Sequence, residues 1–176
     1  MTNPPEILTK RFRLAPIMPD NVSGEWLRWT GDAELMRQMN ARARELTRAD
    51  LQRYVVGALK QGRAIVGIYE RRGGAHVGLY ETEANRHHRN VIIDVLVDQH
   101  RFALSNVLRE TDVALLDYLK ARLGVEKAGA KVVETYAPAI RHFEQTAWIK
   151  EGILRAEHPS AEGAGRVDVI QFGKLL

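Results

Sequence analysis

Cysteine is absent from the 176 residues, which excludes a disulfide framework and a thiolate metal site. The lack of disulfides accords with a reducing, cytoplasmic setting. The opening Met1-Thr2-Asn3-Pro4-Pro5-Glu6 lacks the basic flank and apolar run of a secretory leader, so none is expected. No apolar run approaches the roughly 18 residues needed to cross a bilayer, so no membrane partner is expected. An excess of one charge sign is also missing. The 26 basic and 22 acidic residues leave a net charge of +4, and the basic ones are scattered, which argues against a nucleic-acid partner. Internal repeats, low-complexity segments and linkers are absent, leaving one domain over 1–176 with a flexible tail at 1–7.

What is present is an ordinary balance for a globular core, with 45% apolar and 27% charged residues. The densest signal lies at 91–123. Val91-Ile92-Ile93-Asp94-Val95-Leu96-Val97 is nearly all apolar and β-branched, the pattern of a strand buried on both faces. A loop, Asp98–Ser105, leads to a helix over Asn106–Leu123. Ser105 or Asn106 offers its cap, and Gly124 ends it. A strand feeding a helix in this way gathers free N–H groups and a positive dipole end, the setting for a bound phosphate.

Around this unit the sequence predicts a strand at Phe12–Pro16 and a first helix through Trp26 and Leu27, capped by Asp20 or Asn21. Further helices follow over Asp32–Asn40 and from Thr47 to about Gln61, the latter with a buried stripe of Leu51, Tyr54, Val55, Ala58 and Leu59. The period then changes. Ala64–Tyr69 and His76–Glu81 are strands joined by a turn at Arg72-Gly73-Gly74, and a polar connection at Asn85–Asn90 enters the central strand. After the central helix come a strand at Ala130–Val133, a helix at Ala137–Gln145 with Pro138 in its first turn, and strands at Trp148–Arg155 and Val167–Phe172. The expected class is α/β of the α+β type.

This order, with several local phrases, resembles the GNAT superfamily of acyl-CoA-dependent N-acyltransferases, in particular the branch of ribosomal-protein N-terminal acetyltransferases. The phrases are Leu8–Leu14, Trp29-Thr30-Gly31-Asp32-Ala33-Glu34-Leu35-Met36-Arg37, Val77-Gly78, Leu123-Gly124-Val125, and Glu151-Gly152-Ile153-Leu154-Arg155 followed by Asp168. The resemblance implies a GNAT fold, a mixed central sheet of about seven strands with helices on both faces. It implies acetyl-CoA or another acyl-CoA as cosubstrate, an amine acceptor, no metal, and a homodimer formed through exposed sheet edges.

The chemistry positions depart from that pattern. The family's R/Q-x-x-G-x-G/A loop, whose N–H groups grip the pyrophosphate, reads Arg101-Phe102-Ala103-Leu104-Ser105-Asn106 anchored on Arg101, or Ala103 … Asn106-Val107-Leu108 anchored on Glu110, and holds no glycine in either register. An asparagine that bonds the pantetheine arm is Tyr136, the G-F pair is Ala147-Trp148, and the thiolate-protonating tyrosine falls at Phe143. Carried over residue by residue, the resemblance places the pyrophosphate on Leu104, Ser105 and Asn106 with help from Arg101. It places the thioester beside Leu96 and Val97.

For the base that takes the amine's proton, Asp94 stands out as a carboxylate in an apolar strand, where desolvation raises a carboxyl pKa. Glu81, near the family's acceptor entrance, is the second candidate. Tyr136 is either an acid or a plug in the acyl channel. Arg155 and Asp168 read as a structural pair, His87 and His88 as loop residues facing opposite ways, and the three tryptophans as core. The leading expectation is an N-acyltransferase acting by direct attack on a small-molecule amine or a protein N-terminus. Two others stay open: a binding or dimerisation protein with a decayed CoA loop, and a transferase fed by a carrier protein.

Overall fold

The computed structural model describes residues 6–176. Its strands are β1 (Ile7–Leu8), β2 (Phe12–Pro16), β3 (Arg63–Glu70), β4 (His76–Asn85), β5 (Asn90–Val97), β6 (Lys127–Val133), β7 (Ile149–Pro159) and β8 (Arg166–Leu175). The helices are α1 (Gly24–Gly31), α2 (Ala33–Gln38), α3 (Arg48–Lys60), α4 (Leu104–Leu123) and α5 (Ala137–Gln145). The strands form one eight-stranded sheet in the order β1-β2-β3-β4-β5-β6-β8-β7. Neighbours are antiparallel except β5 and β6, which the α4 crossover makes parallel.

The expected count of about seven strands falls short by β1, a two-residue strand held by β2 through Ile7↔Leu14 and Leu8↔Arg13. Of the tail expected at 1–7, residues 1–5 lie outside the described residues.

Strand alternation divides the core between the two faces of the sheet. Val91, Ile93, Val95 and Val97 of β5 pack with Leu108 and Leu115 of α4 and Phe143 of α5. Leu96 turns the other way, with Leu79, toward Trp26, Trp29, Leu51 and Val55. Helices therefore cover both faces. Burying each such large side chain contributes about 1.5–3 kcal/mol. The prediction that β5 is buried on both faces holds only at its Leu96 end. Ile92 is half-buried and Asp94 exposed, because none of the apolar packing from α1–α3 extends to them.

Helix ends follow local chemistry. Thr47 and Asp50 form a reciprocal capping box, Asp50 N–H donating to Thr47 Oγ1 at 3.2 Å and Thr47 N–H to Asp50 Oδ2 at 2.8 Å. The first helix is capped by Ser23, which accepts from Trp26 N–H. The expected caps Asp20 and Asn21 belong instead to a 3-10 turn, where Asn21 Oδ1 accepts from Met18 N–H at 2.6 Å. The central helix begins at Leu104, two residues before the expected Asn106, with Ala103 at its N-cap and no side-chain cap. Gly124 ends it at φ 66°, a left-handed conformation that suits glycine. On α3 the buried stripe is Leu51, Val55 and Ala58, while Tyr54 and Leu59 are 44% and 40% exposed.

Candidate active site

The sheet opens at its centre. β5 and β6 pair from Asn90↔Lys127 only as far as Ile93↔Ala130. Beyond that point β5 stays with β4, through Gly78↔Val97, and β6 stays with β8, through Val133↔Val169. Each strand follows its outer neighbour and the two part. Gly78 permits the close approach of β4 to β5, since a Cβ there would sit 2.4 Å from the Leu96 carbonyl. The opening is a cleft of about 500 Å³ lined by Asp94, Lys131, Met39, His158, Tyr136 and Phe143, among others.

Asp98 N–H donates to Val77 O at 2.9 Å. By the alternation of an antiparallel strand, the preceding amide, Val97 N–H, points away from β4 and toward the split. The side chains of Leu96 and Val97 are buried in opposite cores. What these two residues offer a substrate is therefore backbone.

Asp94 and Lys131 directly follow the last paired residues, one on each lip. The Asp94 side chain reaches solvent within the cleft, yet protein surrounds it closely. Desolvation raises its pKa above the ordinary carboxylate value, opposed by the nearby charges of Lys131 and Arg63 and reinforced by Glu83. Glu81 lies opposite Asp94 in register. Its carboxylate is already engaged by the Arg63 guanidinium and the Tyr54 hydroxyl. The two expected bases are thus neighbours with different surroundings, and Asp94 is the one lining the cleft.

Tyr136, at the N-cap of α5, is only 3% exposed. Its hydroxyl has no well-formed hydrogen bond. Burial pushes the phenol pKa up, and the Val97 N–H nearby opposes that rise. The side chain thus lies in the split, facing the amide that the strand presents there.

At the start of α4, Leu104 is buried in the core, so its side chain does not obstruct the helix end. No side chain caps the leading N–H groups of α4, of which Asn106 N–H donates to the Ala103 carbonyl at 3.0 Å. Arg101, Ala103 and Asn106 line a separate groove of about 520 Å³ with Arg11, Arg71 and Arg72. Ser105 is half-buried beside them.

Three other sequence expectations meet different geometry or hold as stated. Asp168 Oδ1 accepts from Ala156 N–H at 2.7 Å rather than pairing with Arg155, because the β7–β8 register shifts between Leu154 and His158. His87 and His88 do not face apart; their rings meet edge to face at 4.9 Å in the turn after β4. The tryptophans are buried as expected.

A buried polar cluster went unforeseen. His142 Nε2 lies 2.7 Å from Asp112 Oδ2, with side-chain exposures of 0% and 7%. Asp112 Oδ1 accepts from the Tyr80 hydroxyl, which lies 2.7 Å from Thr111 Oγ1. The available signal was Asp112 itself, a carboxylate between Leu108 and Leu115 on the apolar side of α4.

No protein-family model matches the chain, and no curated protein matches it by sequence. Solved structures do match. A proposed acetyltransferase from T. thermophilus superposes with a TM-score of 0.79 at 22% identity, over 99% of this chain and 91% of that one. A proposed ribosomal-protein-serine acetyltransferase from Vibrio cholerae gives 0.77 at 16% identity, over 100% of both chains. A spermidine N-acetyltransferase from Vibrio cholerae, solved with CoA and spermine, gives 0.69 at 18% identity over 92% of this chain and 95% of that one. With an acetyltransferase of the GNAT family from Bacillus anthracis also matching at a TM-score of 0.77, this chain has the fold of the GNAT acetyltransferases.

Proposed function

We propose that the protein is an N-acyltransferase that moves an acyl group, acetyl in the simplest case, from acyl-CoA to a primary amine. The carrying observation is the split between β5 and β6 with Asp94 on its lip and Val97 N–H turned into it. A narrow slot through a sheet fits an extended thioester arm, and an unpaired strand amide is a fixed donor for a carbonyl oxygen that gains negative charge.

Asp94 would take a proton from the incoming ammonium, directly or through water, leaving the nitrogen lone pair free. That pair forms the N–C bond at the thioester carbon, and the C–S bond breaks with its electrons passing to sulfur. A second nitrogen proton is lost and sulfur takes one up, giving an amide and a free thiol. Val97 N–H would hold the carbonyl oxygen throughout. The raised Asp94 pKa suits a base, because a more basic carboxylate accepts a proton more readily. Glu81, held by Arg63 and Tyr54, would orient the acceptor side rather than carry the proton. No group in this scheme calls for a metal ion.

The test is acetyl-CoA titrated by calorimetry, followed by release of free thiol across a panel of primary amines. Micromolar donor binding with amine-dependent thiol release supports the proposal. Absence of donor binding up to millimolar removes acyl-CoA as the substrate.

A further inference from the structure

Across the split, Asp94 faces a cation. The β5–β6 register, continued one step past Ile93↔Ala130, sets Lys131 opposite Asp94, and both line the cleft. The Lys131 ammonium is near enough to hold back the rise in the Asp94 pKa, yet the two form no ion pair. Two other cations on this face of the sheet are matched, Lys127 by Glu151 at 2.6 Å and Arg63 by Glu81. Lys131 has no carboxylate partner among the described residues. An acidic and a basic group thus stand on opposite lips, each open to a ligand.

Asp94 and Lys131 also line the neighbouring groove, together with Glu83 and Arg86. One further carboxylate and one guanidinium leave that approach without the negative excess that would draw in a polycation. A diamine would also set its second ammonium against Lys131. A protein N-terminus carries a neutral peptide carbonyl beside its amine and leaves Lys131 unanswered. An amine with a carboxylate close by answers both lips at once, through charge-assisted hydrogen bonds.

The cleft's boundary is tied down. The Asn40 carboxamide donates to the Pro159 carbonyl at 2.9 Å and accepts from Ala161 N–H at 2.8 Å. Thr135 Oγ1 donates to the Gln38 carbonyl at 3.0 Å. The segment after α2 is thereby joined to the β7–β8 turn and to the approach to α5, and Met39, Asn40, His158 and Pro159 line the same cleft as Asp94 and Lys131. A boundary fixed beforehand suits a compact acceptor and loses little freedom on binding it.

We propose that the acceptor is a compact amine that also bears a carboxylate, as a free amino acid does, with its ammonium at Asp94 and its carboxylate at Lys131. Its chemistry rests on the acyltransferase proposal; binding of the zwitterion stands without it. The nitrogen loses two protons and bonds to the thioester carbon, the C–S bond breaks, and sulfur takes up one proton. The carboxylate takes no part in these bond changes, and the products are an N-acyl amino acid and a free thiol.

The experiment measures thiol release from acetyl-CoA with the common amino acids, their α-carboxamides and ethylenediamine, and binding of the same amino acids by calorimetry. It compares the wild type, Lys131→Gln and, as a control on the same face of β6, Lys127→Gln. In the wild type, amino acids have a KM about tenfold or more below that of their carboxamides, a comparison that needs no variant. Lys131→Gln raises KM for the acids until the two match, with kcat and the carboxamides little changed, while Lys127→Gln keeps the preference. Equal use of acid and carboxamide, or a preference for ethylenediamine, overturns the zwitterion and leaves acyl transfer standing. An acid preference that survives Lys131→Gln overturns the role of Lys131. Amino acids that bind with Lys131-dependent affinity but release no thiol remove the acyltransferase reading alone. Amino acids that neither bind nor react overturn the proposal.

Discussion

The Tyr136 hydroxyl faces the backbone N–H of Val97 inside the split, buried and without a well-formed hydrogen bond. In an acyltransferase that amide would serve the thioester carbonyl, so the phenol oxygen stands where the donor's oxygen would be. Under that reading Tyr136 would have to swing aside for the donor, and the resting fit would work against binding.

Tyr136→Ala is therefore expected to tighten acetyl-CoA binding about tenfold, measured by calorimetry. Tyr136→Phe keeps the bulk and lands between it and the wild type. The opposite pattern, with donor affinity unchanged and kcat collapsed in Tyr136→Phe, would make the phenol an acid for the departing thiolate instead.

Asp94→Asn separates chemistry from stability. Removing a general base lowers kcat on the order of 100-fold or more. The folded-state pKa of Asp94 is raised, so the folded state holds its proton more tightly than the unfolded chain. That contribution is complete below the unfolded pKa and is lost as pH rises through the folded one. Once ionised, the carboxylate works against the fold, and asparagine avoids this. Thermal melts at pH 7 should show Asp94→Asn above the wild type, while the acidic limb of the wild-type rate profile lies above the ordinary carboxylate range. A variant that is less stable and fully active would remove Asp94 from the mechanism.

Much of this fold was legible because local rules and tertiary packing agree. Gly124, the Thr47–Asp50 box and the Gly73-Gly74 turn have mechanisms that a sequence displays directly. The N-terminal cap of α4 was missed because Ser105 and Asn106 are good caps that the helix overrules by starting earlier and burying Leu104. The slot in the sheet was not visible, since it depends on β5 and β6 each following a different partner. Asp94 could be singled out as a polar residue in an apolar run. That Glu81, its register neighbour, is held by Arg63 and Tyr54 required a helix, α3, to be placed over the strand. The basic groove draws on turns some sixty and ninety residues apart in sequence, and scattered charge in a sequence gives no sign of such convergence.

The Asp112–His142 pair joins α4 to α5 and, through Tyr80, to β4. These groups lie in the core that the split borders, and His142 Nδ1 has no partner of its own. Removing Asp112 leaves the His142 imidazole buried without a side-chain hydrogen-bond partner and takes one acceptor from the Tyr80 hydroxyl. Asp112→Ala should cost on the order of 3–5 kcal/mol in denaturant unfolding. The double change Asp112→Leu/His142→Phe should recover much of that loss, because an apolar replacement leaves nothing unsatisfied. Additive losses in the double variant would mean that the two side chains do not act as a pair.

His76 carries the sharpest pH prediction. Its ring is 2% exposed, stacked on Tyr69 at 4.5 Å and tilted against Trp29 at 4.8 Å. Ser23 Oγ accepts from Trp26 N–H at 3.1 Å and lies 2.6 Å from His76 Nδ1. Its one proton is thus free to go to Nδ1, which needs the imidazole neutral. Desolvation lowers the His76 pKa from 6.5 to about 4, outweighing the opposing effects of the Gly78 backbone and Glu25. For a base with a depressed folded pKa, stability is complete above the unfolded value of 6.5 and is lost as pH falls toward 4. The span corresponds to about 3 kcal/mol. Denaturant unfolding at a series of pH values between these limits should show the decline in the wild type. His76→Phe keeps the ring stack and should flatten that part of the curve, at the cost of the Ser23 contact. An unchanged slope in His76→Phe would remove His76 as its source. Glu110 is separable from it: desolvation raises its pKa, but hydrogen bonds from Thr9 and Arg11 outweigh that and bring it from 4.5 to about 2, so its share is lost as pH falls from 4.5 toward 2, mostly below the His76 window.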